Sequence, residues 1–142
     1  MSTLNSIAFT AAGNLTADPE LRFTGTGKPV AGLRIAVTPR RFERDTGSYV
    51  DGTTTFVDGQ VWGEQAKHLA ESLHKGDRVL VIGRWVTRVF TPSQGVNEGV
   101  EQRRLEVVVD EIGPSLAWAT AVVTKTGTTA DPVPADPNIV SG

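Results

Sequence analysis

The sequence contains no cysteine, so it can form neither a disulfide bond nor a thiolate metal site. Histidine is nearly as scarce. His68 and His74 are the only two, and their separation does not match the spacing at which one helix presents two metal ligands. Zinc chemistry is therefore not expected, and no metal or other cofactor is predicted.

Long apolar runs are also missing, since none approaches the roughly 20 residues that a membrane-spanning helix needs. The first residues carry no basic side chain ahead of their apolar stretch, so they do not resemble a secretory signal. Together with the lack of cysteine, this composition is typical of a cytoplasmic protein.

The net charge is −2, which by itself argues against a nucleic-acid partner, but the distribution of charge matters more than its sum. Residues 22–44 contain six basic residues and one acidic residue, Glu43, so a basic stripe lies within an otherwise acidic chain. On charge alone, this stripe could equally be a solvated hairpin. Its basic residues are Arg22, Lys28, Arg34, Arg40, Arg41 and Arg44.

The chain divides into a patterned region and a tail. Residues 1–121 are dense in alternating apolar segments and are predicted to form one domain, whereas residues 122–142 are rich in Thr, Pro, Gly and Ala. That composition cannot bury enough apolar surface to offset the entropy of ordering, so the tail is predicted to be disordered. We expect its removal to leave ligand affinity and assembly intact.

The patterned region predicts an all-β protein with one helix. Residues 30–38 alternate clearly, and residues 63–73 place apolar side chains at helical spacing. In the last strand, Leu105, Val107 and Val109 are expected to point inward and Glu106 outward. The predicted strands span residues 6–14, 30–38, 53–62, 78–90 and 103–109.

Three strands, a helix and two strands match the five-stranded Greek-key barrel of the OB-fold, which carries its helix between strands three and four. This scaffold commonly binds oligonucleotides. SH3-like barrels share much of the strand pattern, but the long helix after the third strand favours the OB-fold.

The few aromatic residues, 6% of the chain, lie mostly in or beside basic segments. A protein that binds unpaired nucleic acid without reading its sequence needs basic side chains along a groove and rings that stack on bases. Phe42 lies among three arginines, and Phe90 follows Arg84 and Arg88. Both are predicted to stack on bases.

Phe56 and Trp62 share one face of their predicted strand, and Val57 and Val61 occupy the other. On position alone, a strand Phe or Trp is more often a core residue. Because the two valines already supply an apolar face, one of the two sets must point outward. Phe56 and Trp62 are therefore added to the predicted base-stacking residues.

Arginines near these rings are the predicted phosphate contacts. Arg34 alternates with the apolar face of its strand, so it is expected to face solvent. The predicted set comprises Arg34, Arg40, Arg41, Arg84 and Arg88.

Two other motifs do not meet the requirements of the sites that they suggest. Residues 25–29, GTGKP, contain a Gly-Lys pair but lack the spacing and the Ser or Thr of a phosphate-binding P-loop. Asp45, Asp51 and Asp58 do not cluster as a two-metal nuclease requires. No catalytic residue is predicted, and the protein is not expected to be an enzyme.

The segment GNLTADPELRF, from Gly13 to Phe23, resembles the opening of bacterial single-stranded DNA-binding proteins. The likeness continues through VAGLRIAVTPRRFERDTG, AESLHKGDRVLVIGRWVTR and LEVVVDEIGPSLAWATA, and it covers residues 4–121. The last block is most similar to the actinobacterial branch of the family.

This resemblance implies a homotetramer of OB-folds that binds single-stranded DNA at the nucleoid during replication, recombination or repair. Carried over by position, it places the stacking rings at or beside Phe42 and at Phe56, Trp62 and Phe90. That placement agrees with the alternation argument for Phe56 and Trp62.

The chain departs from the family at its last residues. Members that serve as the main replication protein end in an acidic tip that closes with Pro-Phe and recruits other enzymes, whereas this chain ends NIVSG. Either a truncated chain or a paralogue, plasmid or phage version would end in this way. Recruitment of replication and repair enzymes is therefore not expected. The alternative function is an OB-fold protein-interaction subunit of a primosome-like assembly, with weak DNA binding.

Overall fold

Eight strands and one helix make up residues 5–126, the part of the chain that the computed structural model describes. The strands are β1 (Ile7–Leu15), β2 (Glu20–Phe23), β3 (Pro29–Val37), β4 (Arg40–Glu43), β5 (Ser48–Asp51), β6 (Thr55–Trp62), β7 (Arg78–Phe90) and β8 (Gln102–Pro114). The helix α1 (Glu64–Ser72) separates β6 from β7.

Six strands form one sheet in the order β1-β7-β8-β6-β3-β2, and a further pairing of β1 with β3 closes it into a barrel. All neighbours are antiparallel except β6 and β8, which run parallel. The five long strands and the helix after the third of them confirm the predicted OB-fold barrel. The hairpin of β4 and β5 forms a separate two-stranded sheet.

The barrel core consists largely of β-branched residues, which suit the pleated, buried surface of a strand. Strand alternation points these side chains inward, as predicted for Ile35 in β3 and for Val57 and Val61 in β6. The largest fully buried side chains are Ile35, Val30, Val61, Val79, Val81 and Val107.

Helix α1 packs its buried residues Ala66 and Leu69 against this core. Gln65 fixes the helix to β8, because its side-chain amide donates to the carbonyl oxygen of Asp110 over 3.0 Å. The same amide group accepts a hydrogen bond from the backbone N–H of Ile112, also at 3.0 Å. No helix in residues 5–126 has the length and apolar character that crossing a membrane requires.

Trp85 packs edge-to-face against Phe9, with 5.2 Å between the ring centroids. Trp118 is largely exposed and lies under the guanidinium of Arg78, 5.0 Å from its carbon to the ring centroid.

Three short strands were not predicted. Every residue of β2 is exposed, so its four residues carry no alternation of apolar and polar side chains. Strands β4 and β5 are equally short and largely exposed. Residues 127–142, most of the predicted disordered tail, lie outside the described residues.

The predicted orientation of Leu105 is wrong, since this side chain is 61% exposed, whereas Glu106, expected to point outward, is 7% exposed. The reason is that Leu105 lies beyond the end of the barrel. Residues 86–90 of β7 and 102–106 of β8 pair only with each other, so they form a two-stranded ribbon beyond the barrel. Leu105 pairs with Thr87 on this ribbon and has no core to face.

Gly83 marks an irregularity in β7, where the register with β8 shifts between Ile82 and Gly83. A Cβ atom at Gly83 would clash with the backbone carbonyl oxygen of Val108 and would lie 2.9 Å from the Cγ1 of Val107. Because a backbone atom cannot rotate away, only glycine fits here without a shift of the strand.

We predict that Gly83→Ala lowers the free energy of unfolding by about 1–3 kcal/mol, the usual cost of overpacking a well-packed site. Chemical denaturation measures the change. Gly113→Ala is the matched control, because a Cβ atom there has no neighbour within 4 Å. Equal stability of the two variants would contradict the clash.

Candidate nucleic-acid interface

One outer face of the sheet carries most of the predicted site residues. Strand register sets its composition, since directly paired residues in neighbouring strands point to the same side. Arg34 of β3 pairs with Asp58 of β6, and Arg88 of β7 pairs with Arg104 of β8. We call this surface the groove face. It comprises Gly32, Arg34, Ala36, Phe56, Asp58, Gln60, Trp62, Arg84, Val86, Arg88, Phe90, Gln102, Arg104, Glu106 and Val108.

The rings of β6 point outward onto the groove face. Phe56 is 54% exposed and Trp62 is 41% exposed, while Val57 and Val61 are buried beneath them. The two rings are separated by about 20 Å, because Trp62 follows Phe56 by six residue steps along an extended strand. This strand therefore presents an aromatic surface near each of its ends.

Each of these rings has a basic group above it. The guanidinium carbon of Arg34 lies 4.9 Å from the centroid of Phe56, and the Nζ of Lys28 lies 5.5 Å from that of Trp62. These are cation–π distances. Each ring and its cation together offer a stacking surface beside a positive charge.

A third ring, Phe90, lies at the end of the ribbon formed by β7 and β8. Two guanidinium groups approach it, with the carbon of Arg88 at 5.7 Å and that of Arg104 at 5.1 Å from the ring centroid. Arg104 was not included among the predicted phosphate contacts. Its position opposite Arg88 becomes visible only once the register of the ribbon is known.

The hairpin of β4 and β5 carries a separate aromatic pair. Phe42 pairs with Tyr49 across the strands, with 5.3 Å between centroids and 72° between ring planes, and both rings are exposed. Arg40 lies on the same face of the hairpin, 5.7 Å from the centroid of Tyr49. Strand alternation directs Arg41 to the opposite face. The structure therefore separates Arg40 from Arg41.

The predicted site residues thus occupy two surfaces. Phe56, Trp62, Phe90, Arg34, Arg84 and Arg88 lie on the groove face, whereas Phe42, Arg40 and Arg41 belong to the hairpin. Sequence reasoning missed Lys28, Tyr49 and Arg104. Lys28 was counted in the basic stripe, but nothing in the sequence indicates its contact with Trp62.

A cavity of about 290 Å³ opens on the groove face. Its basic groups are the guanidinium groups of Arg34, Arg88 and Arg104, and its floor includes the side-chain-free Gly32. Four carboxylates also line it, those of Asp18, Glu20, Asp58 and Glu106. The cavity is therefore close to neutral, although it lies among arginines.

Ion pairs account for much of this neutrality. Arg34 pairs with Asp58 over 4.0 Å and Arg88 with Glu106 over 3.3 Å. Elsewhere, Arg40 pairs with Asp51 over 3.5 Å and Arg84 with Asp110 over 3.6 Å. Of the five arginines predicted to bind phosphate, only Arg41 has no carboxylate partner within the described part of the chain.

Residues suited to metal chemistry do not gather in this region. Between residues 5 and 126, no group of three or more His, Asp or Glu side chains is close enough together to hold a metal ion. Asp45 lies in the turn of the hairpin, Asp51 in β5 and Asp58 in β6.

Comparison with known proteins relates this surface to a family. The model of the single-strand binding protein family matches residues 6–115, from β1 to just beyond β8. A protein of Mycobacterium tuberculosis named single-stranded DNA-binding protein is 46% identical over 139 residues, which cover 94% of this chain and 82% of the relative. A protein of the same name from Mycolicibacterium smegmatis is 50% identical over 116 residues, covering 82% of this chain and 68% of the relative.

A solved structure shares the fold as well. The small single-stranded DNA-binding protein of Streptomyces coelicolor superposes with a TM-score of 0.65 and 29% sequence identity. The match covers 80% of this chain and 97% of that one. These relatives come from actinobacteria, the branch that the sequence indicated.

Proposed function

Because this chain belongs to the single-strand binding protein family, we propose that it binds single-stranded DNA without reading its sequence and without changing it chemically. The observation that carries the proposal is the groove face, on which two exposed rings, Phe56 and Trp62, and the half-buried ring of Phe90 each lie beside a cation. We propose that the protein binds bacterial DNA in the cytoplasm and protects unpaired strands during replication, recombination or repair.

Stacking explains why such a surface would accept any sequence. Every base has a π-face, and each base stacked on an aromatic side chain contributes about 1–3 kcal/mol. Phe56, Trp62 and Phe90 offer such faces, and the distance between Phe56 and Trp62 leaves room for intervening nucleotides within the 4–16 nucleotides that one OB-fold typically holds. The affinity of the groove face would therefore depend on exposed bases.

The hairpin of β4 and β5 adds a second stacking element to the proposal. Phe42 and Tyr49 are exposed together on one face, with Arg40 beside Tyr49. Arg41, on the other face, remains a proposed phosphate contact through its free guanidinium. A DNA strand that extends beyond the groove face would contact aromatic rings again on the hairpin.

We propose further that the protein assembles as a homotetramer. Leu80 and Ile82 support this, because both are about half exposed on β7 and pair with the small residues Ala12 and Thr10 of β1. Small neighbours allow another subunit to approach such apolar side chains closely. We call Leu80 and Ile82 the apolar patch.

The proposal predicts a strong preference for unpaired DNA. Oligo-dT of about 35 nucleotides should bind far more tightly than a duplex of equal length, because the bases of a duplex are already stacked on one another. Fluorescence anisotropy with labelled strands measures both affinities. Equal affinity would contradict the proposal. Cleavage of the labelled strand in the presence of magnesium would indicate a nuclease instead.

Loss of one ring should weaken binding without weakening the fold. We predict that Phe56→Ala reduces the affinity for oligo-dT by about 1–3 kcal/mol per subunit, while the thermal midpoint changes little because the ring is half exposed. Phe23→Ala is the matched control, since Phe23 is 58% exposed but lies on the face of β2 opposite Glu20. An equal loss of affinity in both variants would argue against stacking at Phe56.

A charged substitution tests whether the apolar patch is a subunit interface. We predict that Ile82→Glu lowers the mass in solution below that of a tetramer, because a carboxylate would be buried between subunits without a partner. Multi-angle light scattering measures the mass. Val89→Glu controls for the substitution, since Val89 is also 50% exposed on β7 but lies outside the patch. A tetrameric mass for Ile82→Glu would exclude the patch as an interface.

A further inference from the structure

Two arginines of the groove face, Arg34 and Arg88, are not free to receive a phosphate. Asp58 lies directly opposite Arg34 in the register of β3 and β6, with their charged groups 4.0 Å apart. Glu106 contacts Arg88 at 3.3 Å, and among the described residues it is the one buried residue with a charged side chain. In the unliganded protein, these two guanidinium groups are thus already held by carboxylates.

The two carboxylates line the same cavity, from the adjacent strands β6 and β8. The parallel register of β6 and β8 pairs Gly59 with Val107, so Asp58 and Glu106 precede these partners in adjacent strands. Across the sheet, the charges therefore follow the order Arg34, Asp58, Glu106 and Arg88. Like charges in the middle are expected to repel an incoming phosphate, while the outer arginines attract it.

The other charged groups around the cavity are one arginine and two carboxylates. The guanidinium carbon of Arg104 lies 5.1 Å from the centroid of Phe90, and this arginine has no carboxylate partner among residues 5–126. Asp18 accepts a hydrogen bond from the backbone N–H of Lys75 at 2.8 Å, and Glu20 adds a further negative charge. The centre of the groove face therefore has little net attraction for a polyanion.

We propose that Asp58 and Glu106 are selectivity-determining residues, which hold Arg34 and Arg88 in ion pairs and compete with DNA phosphate for them. This inference rests on the proposed function. Because the competition cancels much of the generic attraction for phosphate, affinity depends on stacking by Phe56, Trp62 and Phe90. A ligand with exposed bases is thereby favoured over other polyanions.

The competition has a thermodynamic signature in salt. A free arginine that binds phosphate releases a counterion from DNA, which steepens the slope of log affinity against log salt by about 0.7 on a single strand. An arginine that first leaves Asp58 exposes a carboxylate, which attracts a cation from solution. Uptake of this cation at Asp58 offsets release of the counterion from DNA. A paired arginine therefore adds little to the slope of log affinity against log salt.

A double-mutant cycle of Arg34→Gln and Asp58→Asn tests this at one pair. With Asp58 intact, Arg34→Gln should lower oligo-dT affinity and flatten the salt slope by less than it does in the Asp58→Asn background, where the guanidinium is free to contact phosphate. Asp58→Asn should raise affinity at low salt about two- to fivefold, the range expected of an exposed pair, and steepen the slope by about 0.7. Adding Arg34→Gln to Asp58→Asn should abolish both gains.

Glu106→Gln with Arg88→Gln repeats the cycle at the second pair, and glutamine keeps the shape and the acceptor oxygen of Glu106. Thermal melting checks that each variant is folded. Glu64→Gln is the matched control. It frees Lys67 from a 3.1 Å ion pair on α1, away from the cavity, and should leave affinity and slope unchanged.

Three results would overturn the inference. The first is an oligo-dT affinity and a salt slope that do not change in Asp58→Asn. The second is an equal gain of affinity in Glu64→Gln, which would reflect net charge alone. The third is an effect of Arg34→Gln on affinity that is the same with and without Asp58. The proposed function fails separately, if the unmodified protein does not prefer oligo-dT to duplex. A larger gain of Asp58→Asn for inorganic polyphosphate than for oligo-dT would support selection against bare polyanions.

Discussion

Alternation along β6 is the constraint on which both the core and the binding surface depend. Val57 and Val61 point into the barrel and are almost completely buried, so Phe56 and Trp62 must point away from it. A slip of one residue in the pairing of β6 with β3 would put the rings into the core and the valines into water. Burial of the valines therefore holds the rings exposed, and the free energy that closes the barrel also maintains the groove face.

Charge on this surface is arranged by the same cross-strand pairing. Arg34 lies directly opposite Asp58, and Arg88 contacts Glu106, so two arginines of the groove face already have carboxylate partners in a chain whose net charge is −2. An exposed ion pair such as that of Arg34 and Asp58 adds little to stability. The main effect of both pairs is to neutralise part of the positive charge of the groove face.

The long strands and the helix were predictable because apolar side chains recur in each at a regular spacing, at every second residue in a strand and at helical spacing in the helix. Five strands and the helix follow from alternation and helical spacing, and the outward rings of β6 follow from the buried valines beside them. The exposed strand β2 has no such period. Leu105 fits the alternation of β8 but lies beyond the barrel, and no local pattern indicates where a strand leaves its core.

Contacts between strands were the least predictable part of the site. Lys28 lies over Trp62, and Arg104 shares Phe90 with Arg88, yet each of these pairs joins residues that are distant in sequence. The carboxylate partners of the arginines were hidden for the same reason. Charge counted along the chain indicated a basic stripe, whereas the register shows how much of that charge is already neutralised.

The ribbon at the far end of β7 and β8 has a consequence for local stability. Its strands pair only with each other, and an isolated pair of strands is marginally stable in water. Amide hydrogens should therefore exchange progressively faster from Val81, inside the barrel, towards Phe90. The ring at the tip is carried by a segment with a low opening free energy. A base that stacks there therefore also orders backbone, and the lost conformational entropy offsets part of the stacking energy.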